Sequence, residues 1–84
     1  MNNKVFVGGL NYDTDEKALE AAFSSFGLVI NLRIIRDQES GKSKGFGFIT
    51  FSNDEGAKEA LQMDGEKLDG RFIGVKPAFE KHKR

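Results

Sequence analysis

The sequence holds no cysteine and a single histidine, His82, and these two scarcities close off several kinds of chemistry. Without thiols there is neither a disulfide framework nor a thiolate zinc site, and one histidine in a basic tail builds no metal centre without several carboxylates around it. Long apolar runs are missing as well: the opening "MNNKVFVGG" has neither signal-peptide nor membrane-spanning length. A cytoplasmic protein, or a nuclear one in a eukaryote, is therefore expected, with no cofactor, no metal and no membrane partner. The only proline, Pro77, lacks the N–H that a sheet ladder needs and marks where a last strand stops. Net charge is absent too, because 13 Lys and Arg balance 13 Asp and Glu. That balance argues at first against a phosphate-rich partner, which usually selects a basic footprint.

What is present reverses the impression. Eighty-four residues allow one domain with a modest core. Within it, the segments 11–27 and 53–69 hold ten acids against three lysines, and the rest of the chain holds ten basic residues against three acids. Charge is segregated by segment, and segments can correspond to faces.

Periodicity orders the segments. "KVFVG" from Lys4 to Gly8 is β-branched and aromatic and reads as a strand. "DTDEKALEAAFSSFG" reads as a helix with Asp13 or Thr14 as N-cap, an inward stripe of Leu19, Ala22, Phe23 and Phe26, and a stop at Gly27. "VINLRIIR", from Val29 to Arg36, and "KGFGFITF", from Lys44 to Phe51, are strands joined by the turn residues of "DQESGKSKG". "SNDEGAKEALQM" predicts a shorter helix capped by Ser52 or Asn53, with Ala57, Ala60 and Leu61 inward and Gly56 as a weak point. "RFIGVKP" is the last strand. The order βαββαβ implies an α+β fold of the ferredoxin-like, split βαβ type: a four-stranded antiparallel sheet with two helices on one face. Residues 1–78 form the domain and 79–84 a basic tail that adds weak, salt-sensitive attraction.

The other sheet face is left uncovered, and alternation dictates what it carries. If Val5, Val7, Val29, Leu32, Ile34, Ile49, Phe51, Ile73 and Val75 face the helices, the open side presents Lys4, Phe6 and Gly8, then Asn31, Arg33 and Ile35, then Lys44, Phe46, Phe48 and Thr50, then Phe72, Gly74 and Lys76. Phenylalanines among basic residues on a wet surface need a ligand to repay their exposure.

"KGFGFITF" resembles the octamer of the RNA recognition motif family, with Ile49 where valine is commoner, and "VFVGGL" from Val5 to Leu10 resembles that family's hexamer. "LEAAFSSFG", "RDQESGKSKG", "AKEAL" and "LDGRFIGV" extend the likeness over nearly the whole chain, toward the motif of small glycine-rich and cold-inducible RNA-binding proteins. "ALQMDG" is one residue shorter than the usual spacing, and no glycine-rich tail follows "EKHKR", so no annealing role of such a tail is expected of these residues. The resemblance implies a single-stranded RNA-binding module with a post-transcriptional or cold-response role, working as a monomer and taking single-stranded DNA more weakly. It places the first and third strands side by side, with Phe6 and Phe48 stacking bases, Phe46 against sugars and Lys44 on a phosphate.

Bland readings stand beside these. Arg33 and Lys76 are either phosphate or base contacts or solvated edge charges. Phe72 is either part of the platform or an edge residue under the tail. Phe79 either packs over the sheet or touches nucleic acid, and Tyr12 and Met63 read as packing residues. "SGKSKG" contains a phosphate-loop fragment, but Arg36 stands where that loop needs its first glycine. An enzyme is not expected, since no acid, histidine or cysteine stands with the charged residues of the open face. The alternative is a protein-binding variant of the same fold, a type that typically loses the three stacking aromatics this chain has.

Overall fold

The computed structural model describes residues 2–78. Four strands form the main sheet in the order β2-β3-β1-β6: β1 Lys4–Gly8, β2 Val29–Arg36, β3 Ser43–Phe51 and β6 Gly74–Pro77. Helices α1 (Glu16–Phe23) and α2 (Asp54–Ala60) supply the second layer, each running on into a 3₁₀ turn, at Ser24–Phe26 and Leu61–Met63. All pairings are antiparallel. The split βαβ plan expected from the element order is therefore the observed one. No helix among the described residues is long and apolar enough to cross a membrane. The expectations for Phe79 and the basic tail fall outside the described residues.

The core lies between the layers and is built by alternation. Along β3 every odd residue from Ser43 to Phe51 is buried and every even one is not. Val5 and Val7 of β1, Ile34 of β2, Ile49 and Phe51 of β3, and Val75 of β6 meet Leu19 and Phe23 of α1 and Ala57 and Ala60 of α2. Val29 and Leu32 also join this face, although three positions apart, because β2 carries a register irregularity between Val29 and Asn31 that absorbs one residue. Phe23, with no exposed surface, packs edge-on to Phe26 at 5.9 Å between ring centroids.

Helix starts differ in part from expectation. Asn53 caps α2, its side-chain oxygen accepting from the Gly56 N–H, as one of the two candidates required. On α1 the cap is Asp15, accepting from Ala18 at 2.9 Å, and neither Asp13 nor Thr14. The Thr14 hydroxyl is drawn away to Asp69, to which it donates at 2.6 Å. Gly56 is a contact and not a weakness: a Cβ there would lie 3.0 Å from the Phe51 ring, so glycine lets α2 sit down on β3.

The segment read as one last strand is two. Lys67–Leu68 (β4) and Arg71–Phe72 (β5) form a small ribbon, and only Gly74–Pro77 joins the main sheet. Ile73 is the pivot: its N–H donates to the Glu66 carbonyl and its carbonyl accepts from Gly65, while the Asp64 carboxylate takes the Val75 N–H at 2.8 Å. Tyr12, expected to pack, is 71% exposed, and Met63 packs against the core as expected.

Phe23→Ala should cost about 3–5 kcal/mol through the cavity it leaves, whereas truncating an open-face ring such as Phe48 should leave the melting temperature nearly unchanged; thermal melts of the two variants measure this. Three carboxylates add a pH dependence. Glu16 is held below its ordinary pKa chiefly by the Arg36 guanidinium, Asp37 chiefly by the Ser40 N–H, and Asp64 chiefly by the Val75 N–H. Carboxylates with depressed folded-state pKa values stabilise the fold above their unfolded values and cease to do so as pH falls through the folded ones. Stability should therefore be level at neutral pH and decline once pH drops into and below the carboxylate range, with a shallower decline in Asp64→Asn, as denaturant titrations at descending pH would record.

Candidate nucleic-acid interface

The register of the sheet sets the open face in rows. Phe6 of β1 stands opposite Lys76 of β6 on one side and Phe48 of β3 on the other, and Phe48 stands opposite Arg33 of β2. Lys76, Phe6, Phe48 and Arg33 thus form one line across all four strands, aromatic in the middle and cationic at both ends. A second row holds Lys4, Thr50 and Asn31. A third places Gly8 opposite Phe46 and Gly74.

The three phenylalanines are mutually packed. Ring centroids lie 5.8 Å apart for Phe6 and Phe46, 5.7 Å for Phe6 and Phe48, and 6.4 Å for Phe46 and Phe48, the last two pairs edge-on. Phe6 leans over Gly8, where a Cβ would stand 2.9 Å from its ring, so the glycine leaves the space in which Phe6 reaches Phe46. All three rings are half-buried, supported from the side while facing outward. Side support of this kind holds an apolar surface in place without a protein layer above it.

The cations are held differently from one another. Lys4 Nζ sits 5.3 Å from the centroid of the Phe48 ring, within cation–π range. Lys76 Nζ is 3.5 Å from Asp64, whose carboxylate is also fixed by the Val75 N–H, so part of its charge is already matched. Arg36 is turned away from the face and pairs with Glu16 of α1 at 2.9 Å. Lys44, exposed on β3 two residues before Phe46, lies on the outward side of that strand near the hairpin. Arg33, Lys4, Asn31 and Thr50 surround a recess of about 460 Å³ beside Phe48.

Of the residues singled out in the sequence, Phe6, Phe46, Phe48, Lys4, Arg33 and Lys76 are brought together, with Lys44 further along β3. Phe72 is not on the four-stranded sheet. It belongs to β5, 70% exposed, with Lys67 Nζ 5.5 Å over its ring. Asn31 and Thr50 were placed on the open face by alternation, and their place opposite each other in the register, next to Lys4, reveals that they line the recess. Among the described residues no three His, Cys, Asp or Glu side chains cluster as metal ligands would.

Comparison with known proteins agrees with this geometry. The RNA recognition motif family matches residues 5–74. Glycine-rich RNA-binding protein 2, mitochondrial, of Arabidopsis thaliana is 48% identical over 83 residues, covering 96% of this chain and 52% of its own. Glycine-rich RNA-binding protein GRP2A of Sinapis alba is 50% identical over 76 residues, covering 89% of this chain and 45% of its own. The chain thus spans about half the length of these relatives. Among solved structures, the Rna15 RRM with bound RNA (GU) superposes with a TM-score of 0.85 at 31% identity, covering 95% of this chain and 86% of its own. RNA-binding protein PG1 superposes with a TM-score of 0.88 at 33% identity, covering 95% and 98%. With both motif strands at the centre of the sheet and the aromatic row standing where they meet, the chain belongs to the RNA recognition motif family.

Proposed function

We propose that this chain binds a short stretch of single-stranded RNA across the open sheet face, by stacking bases on Phe6 and Phe48. The observation that carries the reading is the row Lys76, Phe6, Phe48, Arg33: two supported rings on the uncovered face, bounded at each end by a cation. Every base has a π-face, and stacking on an aromatic side chain contributes about 1–3 kcal/mol per base. Phe46 lies against the sugar between the stacked bases, and Lys44 and Lys4 meet phosphates. The names of the glycine-rich relatives, which include RNA binding, and the RNA held by the Rna15 domain support the same reading.

Binding, not catalysis, is the activity proposed, because this face offers stacking surface and hydrogen-bond donors, and the acid beside it, Asp64, is engaged by Lys76 and the Val75 N–H. Phe72 and its partner Lys67 lie off the sheet and serve as an outlying contact at most. A cytoplasmic site of action is part of the proposal, although three of the relatives carry "mitochondrial" in their names.

Stacking requires unpaired bases, so a short single strand should bind far more tightly than a hairpin of the same composition. Fluorescence anisotropy with the two probes measures this, and equal affinities would overturn the stacking account. Phe48→Ala should lose one stacked base, about 5- to 100-fold in affinity, with its thermal melt almost unchanged. A Phe48→Ala variant that binds RNA like the parent would remove Phe48 from the platform.

A further inference from the structure

We propose that the recess beside Phe48 reads base identity, selecting a keto base, guanine or uracil, over an amino base, adenine or cytosine, with Arg33 as the specificity-determining residue. The inference rests on the RNA-binding reading above and adds to it a chemical preference at one nucleotide position.

The recess is lined by Lys4, Asn31, Arg33, Phe48 and Thr50, and its volume of about 460 Å³ lies in the range of small-ligand sites, about 300–1,000 Å³. Lys4 and Asn31 flank Thr50 in the register, and Arg33 flanks Phe48. A base stacked on Phe48 therefore directs an edge toward this group. Among the described residues none of the four polar side chains has a hydrogen-bond or ion-pair partner, whereas Lys76 and Arg36 each have a carboxylate. Their hydrogen-bonding capacity is free for a ligand.

That capacity is biased. Arg33 brings five N–H donors and Lys4 three, and neither accepts, while Asn31 and Thr50 can do both. A carbonyl oxygen at the base edge fits this set. An exocyclic amino group at the same position presents a donor to the donors of Arg33 and Lys4, and only Asn31 and Thr50 can accept from it. Guanine fits best, because its O6 and N7 are adjacent acceptors that match the guanidinium fork. Uracil offers a lone carbonyl at that edge, and adenine replaces O6 with an amino group next to N7.

The competing role for Arg33 is contact with a phosphate, which reads no sequence. A substitution scan separates the two: each position of a short RNA that binds the protein is replaced in turn by all four bases, and affinities are measured for the parent and for Arg33→Ala. The expected result is one position at which guanine and uracil bind about 5- to 100-fold more tightly than adenine and cytosine in the parent, with that preference lost in Arg33→Ala. A parent with no keto preference at any position would overturn the proposal. So would an Arg33→Ala variant that weakens all sequences alike and lowers the log-log salt slope by about 0.7, the signature of one lost phosphate on a single strand. A parent that binds none of the RNAs would overturn the RNA-binding reading itself, and this subsite with it.

Discussion

The pairing of Phe6 with Phe48 across β1 and β3 is the constraint on which both sides of the sheet depend. Because side chains alternate, that one register puts Val5 beside Ile49 toward the helices in the same stroke as it sets the two rings side by side toward water. A slip by one residue would exchange the faces, burying the platform and exposing the core valines. The hydrophobic core is therefore what enforces the geometry of the interface: Val5, Val7 and Ile49, all fully buried, hold the strands in the one alignment that places the rings within 6 Å of each other. Stability and recognition share a backbone here, with opposite faces assigned to each.

Much of this was legible in the chain because it is local and periodic. The bounds of β1 and β2, the inward stripe of α1 and the alternation of β3 follow from residues that are neighbours in sequence. The open-face list survives the structure along β1, β2 and β3. What was not legible depends on partners far away. Thr14 looked like a cap, and only Asp69, 55 positions on, explains why its hydroxyl points elsewhere and Asp15 takes the helix start. The last strand looked continuous because nothing within "RFIGVKP" announces that Glu66 and Asp64 capture the N–H groups of Ile73 and Val75. That capture separates Phe72 from the row it was expected to join.

Two glycines take their meaning from packing. Gly56, weak by helix propensity, is where α2 approaches the Phe51 ring, and Gly8 is where Phe6 lies down. Propensity treats a missing side chain as a loss of order, whereas at these positions it is the room another side chain occupies. The grouping of Asn31 and Thr50 into a recess beside Phe48 was hidden for a related reason. Asn31 and Thr50 are unremarkable in composition, and they acquire a role only from the strands that place them between Lys4 and Arg33.

The separation of acids and bases along the chain has its own effect, on approach and not on contact. A chain with no net charge exerts little long-range pull. It measures 34 × 31 × 20 Å, and with a Debye length of about 10 Å at 0.1 M ionic strength a strand drawing near senses the surface in front of it far more than the one behind. Exposed Glu20, Asp54, Glu55 and Glu59 on the helices turn phosphates away, while Lys4, Arg33, Lys44 and Lys76 on the strands draw them in. The molecule is an electrical dipole of zero total charge, and such a body rotates before it docks: encounters that begin on the wrong side end in reorientation or escape, so that orientation is selected during diffusion, ahead of any stacked base.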